Sequence, residues 1–187
     1  MARTESNMLP IGTLAPIFIL PDTISGQLLS LNDLRSDKAI VVMFICNHCP
    51  YVLHVKDELV KLAKDYQPKG VSFVAISSND VENYPQDGPE EMKVFARESG
   101  FNFPYLYDET QDVARSFEAA CTPDFYVFDR ELRLRYRGRL DESRPKMENP
   151  KPVTGSDLRG ALNAMLANQL VSEIQYPSMG CNIKWKQ

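Results

Sequence analysis

The stretch that most constrains this chain is VVMFICNHCPYVLHV at residues 41–55, where Cys46 and Cys49 follow an apolar run and precede Pro50. The β-branched and aromatic residues at 40–45 predict a buried strand. Beyond Pro50 the apolar residues recur at the spacing of an amphipathic helix, at Val52, Val55, Leu59, Leu62 and Tyr66. The Cys-x-x-Cys pair therefore lies at a junction between a strand and a helix.

A helix start favours thiolate chemistry, because its unpaired N–H groups and the positive end of its dipole stabilise an anion. A cysteine in the first helical turn is therefore expected to have a lowered pKa. We expect Cys46 to be this nucleophile and Cys49, one turn further on, to be the thiol that resolves a mixed disulfide. Pro50 suits the first turn, because its missing N–H leaves no hydrogen bond unmade there.

Two other interpretations of the pair are reduced thiols without a role and half of a zinc site. A structural zinc ion needs four ligands, and the sequence contains no second Cys-x-x-Cys, so we predict no metal. The N-terminal residues contain no apolar signal segment, and no apolar stretch approaches the roughly 20 residues that span a bilayer. We therefore expect a cytoplasmic protein, in which a close cysteine pair is more often catalytic or metal-binding than a structural disulfide.

Composition narrows the class of partner. Apolar residues make up 43% of the chain and charged residues 25%, as in a folded globular domain. The net charge of −4 provides no basic field that would attract nucleic acid or an anionic membrane. We expect neither as a partner.

Strands and helices alternate along the rest of the chain. Strands are predicted at 71–76, at 103–107 and in a hairpin formed by DFYVFD and LRLRYRG, with helices around Met92, around Ala114 and around Leu162. This order predicts an α/β fold with a mixed central sheet flanked by helices on both faces. IFILPDTISGQLLSL predicts an N-terminal β-hairpin extension. We expect one domain over 1–187, with its core at 10–170 and an extended C-terminal tail at 171–187.

The strand, the Cys-x-x-Cys at a helix start and a later Thr122-Pro123 together resemble the thioredoxin fold. GTLAPIFIL, GQLLSLNDL and KAIVVMF resemble the N-terminal pattern of its peroxiredoxin-like branch, the alkyl hydroperoxide reductase and thiol-specific antioxidant family, and the similarity covers roughly residues 10–170. The resemblance implies that Thr122 and a cis-Pro123 face the motif, present backbone to the substrate and keep metal out. It also implies a thioredoxin-like electron donor, and we predict no cofactor.

The sequence departs from the peroxiredoxin pattern Pro-x-x-x-Thr-x-x-Cys. If Cys49 takes the peroxidatic place, Val42 stands at the proline position and Cys46 at the threonine position. The acidic residue that thioredoxins bury on the strand before the motif is also absent from IVVMFI.

Three further residues are candidates. His48 lies between the cysteines, like the histidine in the Cys-Pro-His-Cys of the oxidant DsbA, and we expect it to tune the motif. Cys121 is either a small buried residue or a secondary redox group. Cys181 belongs to a segment in which Cys181, Ile183 and Trp185 are spaced two apart, so the tail should lie extended over apolar surface. Cys181 either has no role of its own there or forms a second disulfide with Cys121 or a motif cysteine.

We therefore predict a thiol–disulfide oxidoreductase that acts through a Cys46/Cys49 dithiol–disulfide couple on protein or small-molecule thiols and disulfides. The alternatives are a thiol-dependent peroxidase and a non-enzymatic redox-sensing adaptor. Turnover of insulin disulfide and consumption of peroxide separate the three.

Overall fold

Strands and helices alternate along most of the chain that the computed structural model describes, residues 3–187. The strands are β1 (Arg3–Glu5), β2 (Ile19–Pro21), β3 (Leu28–Ser30), β4 (Ala39–Phe44), β5 (Val71–Ser77), β6 (Tyr105–Tyr107), β7 (Cys121–Thr122), β8 (Asp124–Asp129), β9 (Leu134–Gly138) and β10 (Met179–Asn182). The helices are α1 (Leu31–Leu34), α2 (Pro50–Tyr66), α3 (Pro89–Ser99), α4 (Asp112–Ser116) and α5 (Ser156–Leu166).

A five-stranded sheet in the order β6-β5-β4-β8-β9 forms the centre of the fold. Strand β4 pairs parallel with β5 and antiparallel with β8, and β8 continues antiparallel into β9. The predicted mixed sheet and the predicted hairpin are confirmed. Strand β6 is shorter than the predicted 103–107, because Pro104 cannot donate a ladder hydrogen bond.

The sheet is covered on both faces, which explains why every residue of β4 is buried. Val41 and Met43 belong to the apolar cluster that also contains residues of α2, α3 and α5. Val42 and Phe44 belong to a second cluster with residues of α1, α4 and the N-terminal segment. The prediction of helices on both faces is confirmed.

Helix α2 carries the residues that follow the motif. Its buried face includes all five of the predicted positions, Val52, Val55, Leu59, Leu62 and Tyr66. A short 3-10 turn at Gln67–Lys69 and Gly70, at φ 86°, reverse the chain into β5. The helix therefore starts beside the motif and is held there by its packing against the sheet.

The predicted extended tail forms part of a second sheet, in the order β1-β10-β7. Strand β10 pairs antiparallel with both neighbours, while Cys181 and Ile183 are buried, so the prediction of an extended, covering tail is confirmed. The predicted N-terminal hairpin is also confirmed, as the antiparallel pair β2 and β3. Within residues 3–187, no helix combines the length and the apolar character required to cross a membrane.

Candidate active site

The two motif cysteines lie between the end of β4 and the start of α2. The helix begins at Pro50, so Cys49 is its N-cap residue and Cys46 lies in the loop before it. The prediction that Cys46 occupies the first helical turn is therefore wrong. The reason is Pro50, which favours the first helical position and keeps the preceding residue extended, here at φ −71° and ψ 121°.

The Thr122-Pro123 peptide is cis and packs against the motif. The Thr122 hydroxyl lies 3.4 Å from Cys46 Sγ. When it is protonated, the Cys49 thiol donates a hydrogen bond to the Thr122 carbonyl oxygen at 3.1 Å. The fold thus brings together Cys46, Cys49, Thr122 and Pro123, which are 73 or more residues apart across the two segments. Their catalytic roles stay predictions.

Both motif thiols are buried, and they differ in their tendency to ionise. The thiol of Cys46 donates toward Cys49 and holds the pKa of Cys49 at about 5, against the opposing effect of burial, with help from the Val52 N–H. The pKa of Cys46 is raised well above its ordinary value by this same contact, by burial and by the carboxylate of Asp87. The thiolate is thus favoured at Cys49, opposite to the expectation from sequence.

His48 is held over a buried carboxylate. Its Nδ1 lies 2.7 Å from Asp87 Oδ2, and its ring stacks on Tyr84 at an angle of 6°. The His48 contact with Asp87 is close but is not an aligned hydrogen bond, because Nδ1 has no hydrogen-bond partner of good geometry. Asp87 also accepts hydrogen bonds from the Asn47 N–H and from Asn79 Nδ2, each at 2.8 Å. It fixes the loop between the cysteines.

The same groups have the chemistry of metal ligands. Cys46 Sγ, a ring nitrogen of His48 and a carboxylate oxygen of Asp87 lie within 4.8 Å of one another. Sulfur, imidazole and carboxylate together suit a zinc ion. Here both Asp87 oxygens accept hydrogen bonds from amide donors of the protein, so this carboxylate has a structural use without any ion.

Two buried carboxyl groups near the motif were missed by the sequence analysis. Asp87 lies in a polar stretch that reads only as a loop, and nothing local marks it. Asp124 directly follows Pro123 and begins β8, opposite Phe44 at the end of β4. Burial raises its pKa to about 8, although it accepts hydrogen bonds from the Tyr126 hydroxyl and the Phe125 N–H. A carboxyl within the apolar run DFYVF was the signal available.

The two remaining cysteines lie on neighbouring strands. Cys181 in β10 stands directly opposite Thr122, and Cys121 stands opposite Asn182. Burial, and then contact with the Cys49 sulfur, raises the pKa of Cys181 to about 12. Burial raises the pKa of Cys121 as well. All four cysteines are free thiols.

A Cys-x-x-Cys motif facing a cis-proline, on a mixed sheet with helices on both faces, defines a protein of the thioredoxin fold. The fold resembles the thioredoxin domain of a thiol-disulfide oxidoreductase from Bacteroides vulgatus, with a TM-score of 0.58 at 22% identity over 67% of this chain and 86% of that one.

Within that fold the chain belongs to the AhpC/TSA family, which matches residues 11–137. A relative in Mycobacterium tuberculosis H37Rv, provisionally named a peroxiredoxin, is 28% identical over 116 residues, 62% of this chain and 68% of its own. An uncharacterized conserved protein from Geobacillus kaustophilus is 60% identical over all of this chain and 97% of its own, with a TM-score of 0.97. Family and fold together indicate a thiol oxidoreductase.

Proposed function

We propose that this protein is a thiol–disulfide oxidoreductase in which Cys46 and Cys49 cycle between a dithiol and a disulfide. The observation that carries the proposal is the packing of both motif thiols against the cis Thr122-Pro123 peptide, with Cys46 Sγ 3.4 Å from the Thr122 hydroxyl and Cys49 Sγ 3.1 Å from the Thr122 carbonyl oxygen. The two thiols also contact each other, which lowers the pKa of Cys49 and raises that of Cys46, so the pair favours one thiolate beside one thiol. Disulfide exchange requires this combination, because a thiolate attacks first and a second thiol then resolves the mixed disulfide.

The reaction begins with attack of the Cys49 thiolate on a substrate disulfide. A mixed disulfide forms between Cys49 and one substrate sulfur, and the other substrate sulfur leaves as a thiolate. Cys46 then gives up its proton and attacks the Cys49 sulfur, which releases the second substrate sulfur and leaves a Cys46–Cys49 disulfide. The substrate gains two electrons and the motif loses two. A thiol donor restores the dithiol by the reverse exchange.

The residues around the pair have separate tasks in this scheme. Thr122 and Pro123 present backbone to the substrate, as the family resemblance implies. The Thr122 hydroxyl is also within hydrogen-bond reach of the motif, with its Oγ1 3.4 Å from Cys46 Sγ. His48, paired with Asp87, supplies positive charge when protonated and stabilises a thiolate in the motif. Asp87 acts as a positioning residue through His48 and Asn47.

The substrates in this proposal are protein or small-molecule disulfides and thiols, and the electron donor is thioredoxin-like. The cytoplasm is the proposed location. The net charge of −4 agrees with the absence of a nucleic-acid or membrane partner from the proposal.

Reduction of insulin disulfide by a thiol tests the proposal. We expect turnover by the wild-type protein and loss of turnover in both Cys46→Ser and Cys49→Ser. Cys121→Ser is the matched control, because Cys121 is equally buried and faces away from the motif, and it should retain turnover. A wild-type protein that turns over neither insulin nor peroxide would support the adaptor alternative instead.

Mixed disulfides trapped in cells identify both the substrate and the nucleophile. A variant without its resolving thiol accumulates the adduct, so Cys46→Ser should trap partners through Cys49. Trapping by Cys49→Ser alone would restore the assignment made from sequence, with Cys46 as the nucleophile. Mass spectrometry of the trapped proteins reads out both answers.

A thiol-dependent peroxidase is the second candidate. It is favoured by the position of Cys49, which caps α2 directly before Pro50 with its pKa lowered to about 5. It is disfavoured by the two pocket positions, because Val42 is fully buried in the apolar cluster behind the sheet and Cys46 provides a thiol in place of a hydroxyl.

A further inference from the structure

We propose that Cys181 is the third member of the redox centre and forms a disulfide with Cys49 by exchange with the Cys46–Cys49 disulfide. This inference rests on the proposed function, which supplies the first disulfide. It assigns a redox role to strand β10 and gives Cys49 two resolving partners in place of one.

The register of the second sheet determines which cysteine faces the motif. Cys181 is directly opposite Thr122 in an antiparallel pair, so the two side chains project from the same face of the sheet. The Thr122 hydroxyl on that face lies 3.4 Å from Cys46 Sγ. Cys121 is the next residue along β7, and its side chain projects from the opposite face. Cys181 therefore faces the motif and Cys121 does not.

Cys49 and Cys181 both lie beside Thr122. Cys49 Sγ lies 3.1 Å from the Thr122 carbonyl oxygen, and Cys181 lies across the ladder from Thr122. Gly180 allows this closeness, since a Cβ there would overlap the Thr122 carbonyl oxygen. Cys181 is only 5% exposed and belongs to the same apolar cluster as both motif cysteines. The raised pKa of Cys181 has contact with the Cys49 sulfur among its causes, which agrees with this geometry.

The exchange is balanced without any further oxidant. Cys181 loses its thiol proton and attacks the Cys49 sulfur of the Cys46–Cys49 disulfide. That bond breaks, a Cys49–Cys181 bond forms, and Cys46 leaves as a thiolate that takes up the proton. The number of disulfides and the number of electrons are unchanged. The product retains two oxidising equivalents, frees Cys46 and ties strand β10 covalently to the start of α2.

Oxidised glutathione provides a direct test with the full-length Cys46→Ser variant. Glutathione forms a mixed disulfide with Cys49, and Cys181 should then displace it. We expect an intramolecular Cys49–Cys181 disulfide by peptide mapping, and an intact mass that lacks only the two thiol hydrogens. Cys46→Ser/Cys181→Ser should instead keep its glutathione adduct. Cys46→Ser/Cys121→Ser, the matched control, should form the disulfide as readily as Cys46→Ser.

A stable glutathione adduct on Cys46→Ser, or a disulfide to Cys121, would overturn the inference. If Cys46→Ser fails to fold or to react, the wild-type protein oxidised with the same reagent tests the inference. Exchange between the disulfides predicts that peptide mapping finds a fraction of the protein with a Cys49–Cys181 disulfide, and the absence of this fraction would overturn the inference. Insulin turnover by the wild-type protein keeps the two proposals distinguishable. Turnover with no Cys49–Cys181 bond rejects only the inference, and the bond without turnover rejects only the proposed function.

Discussion

At the scale of single residues, Pro50 determines which motif cysteine caps helix α2. It starts the helix after the motif, so Cys49 takes the N-cap position and Cys46 lies three residues before it. We expect iodoacetamide to label Cys49 with a half-maximal rate near pH 5 and Cys46 only at a pH above that of an ordinary thiol. Peptide mapping across a pH series measures both rates within one sample, and unfolded protein, in which both should react alike, is the control. Labelling of Cys46 first would reverse the assignment.

His48 belongs to the same scale. A protonated imidazole near the motif stabilises the thiolate of the reduced form, which raises the reduction potential. His48→Gln should therefore lower the potential, by tens of millivolts if the loss is about 1.4 kcal/mol, since about 30 mV corresponds to that energy for a two-electron couple. His54→Gln is the matched control, because His54 bonds Ser143 and not the motif. Equilibration with glutathione measures the reduction potentials of both variants. Equal potentials in the two variants would exclude His48 from the mechanism.

Hydrogen peroxide tests the pocket positions. A fast peroxidatic site must align the O–O bond and stabilise the leaving oxygen, whereas Val42 has no polar group to offer and is fully buried. Stopped-flow oxidation of the reduced protein should therefore resemble that of an ordinary low-pKa thiol. A rate several orders of magnitude faster would make the protein a peroxidase and remove our preference for disulfide exchange.

At the scale of elements, local patterns predicted the segments well. Apolar periodicity identified the buried face of α2, and β-branched runs identified β4 and β5. These predictions succeed because the spacing of apolar residues depends on whether an element is buried on one face or on both. The spacing of Cys181, Ile183 and Trp185 also predicted an extended tail. It could not predict the pairing of β10 with β1 and β7, because register depends on residues more than 50 positions away in the chain.

Gly180 provides the test at this scale. A Cβ at this position would overlap the Thr122 carbonyl, so Gly180→Ala should push β10 away from β7 and lower the free energy of unfolding by about 1–3 kcal/mol. Faster reaction of Cys181 with a thiol reagent should accompany the loss. Gly160→Ala within α5 is the matched control, because the new methyl group meets no atom within 4 Å. This substitution should raise the free energy of unfolding by about 0.5–1 kcal/mol. Denaturant unfolding measures both, and similar effects of the two substitutions would contradict the close approach.

At the scale of the whole molecule, Asp124 links stability to pH. Its pKa in the folded state is raised from 3.8 to about 8 by burial, so between these values the folded protein binds a proton that the unfolded chain has released. The contribution of Asp124 to stability should therefore fall as the pH rises from about 4 to about 8, whereas the lowered pKa of Cys49 acts in the opposite sense above about pH 5. Asp124→Asn, which keeps an acceptor for the Tyr126 hydroxyl, should remove the Asp124 contribution, so that its stability relative to the wild-type protein increases with pH and it is the more stable protein at pH 8. Denaturant titrations at a series of pH values measure the effect, and parallel profiles would contradict it.

The candidate site was only partly predictable for a reason that also belongs to this scale. Cys46, Cys49, Thr122 and Pro123 were identified because the motif and the Thr-Pro pair are recognisable locally. Asp87 was not, since its carboxylate matters only through contacts with Asn47, His48 and Asn79 that the packing of a distant loop creates. The pKa directions of the two motif thiols favour Cys49 and not Cys46 as the thiolate, because the largest cause of both shifts is their mutual contact, which depends on the fold.

The pairing of β1 with β10 has a consequence for how the protein folds. Arg3 pairs with Cys181, although nearly the whole chain separates them in sequence. The sheet therefore contains contacts of very high sequence separation. Closing so long a loop is entropically costly, so contacts of this kind form late in folding. A nascent chain can complete its central sheet before residues 179–182 leave the ribosome. Until β10 is in place, the Cys49 sulfur lacks the cover of this strand, and we expect the motif to be most open to oxidation during that interval.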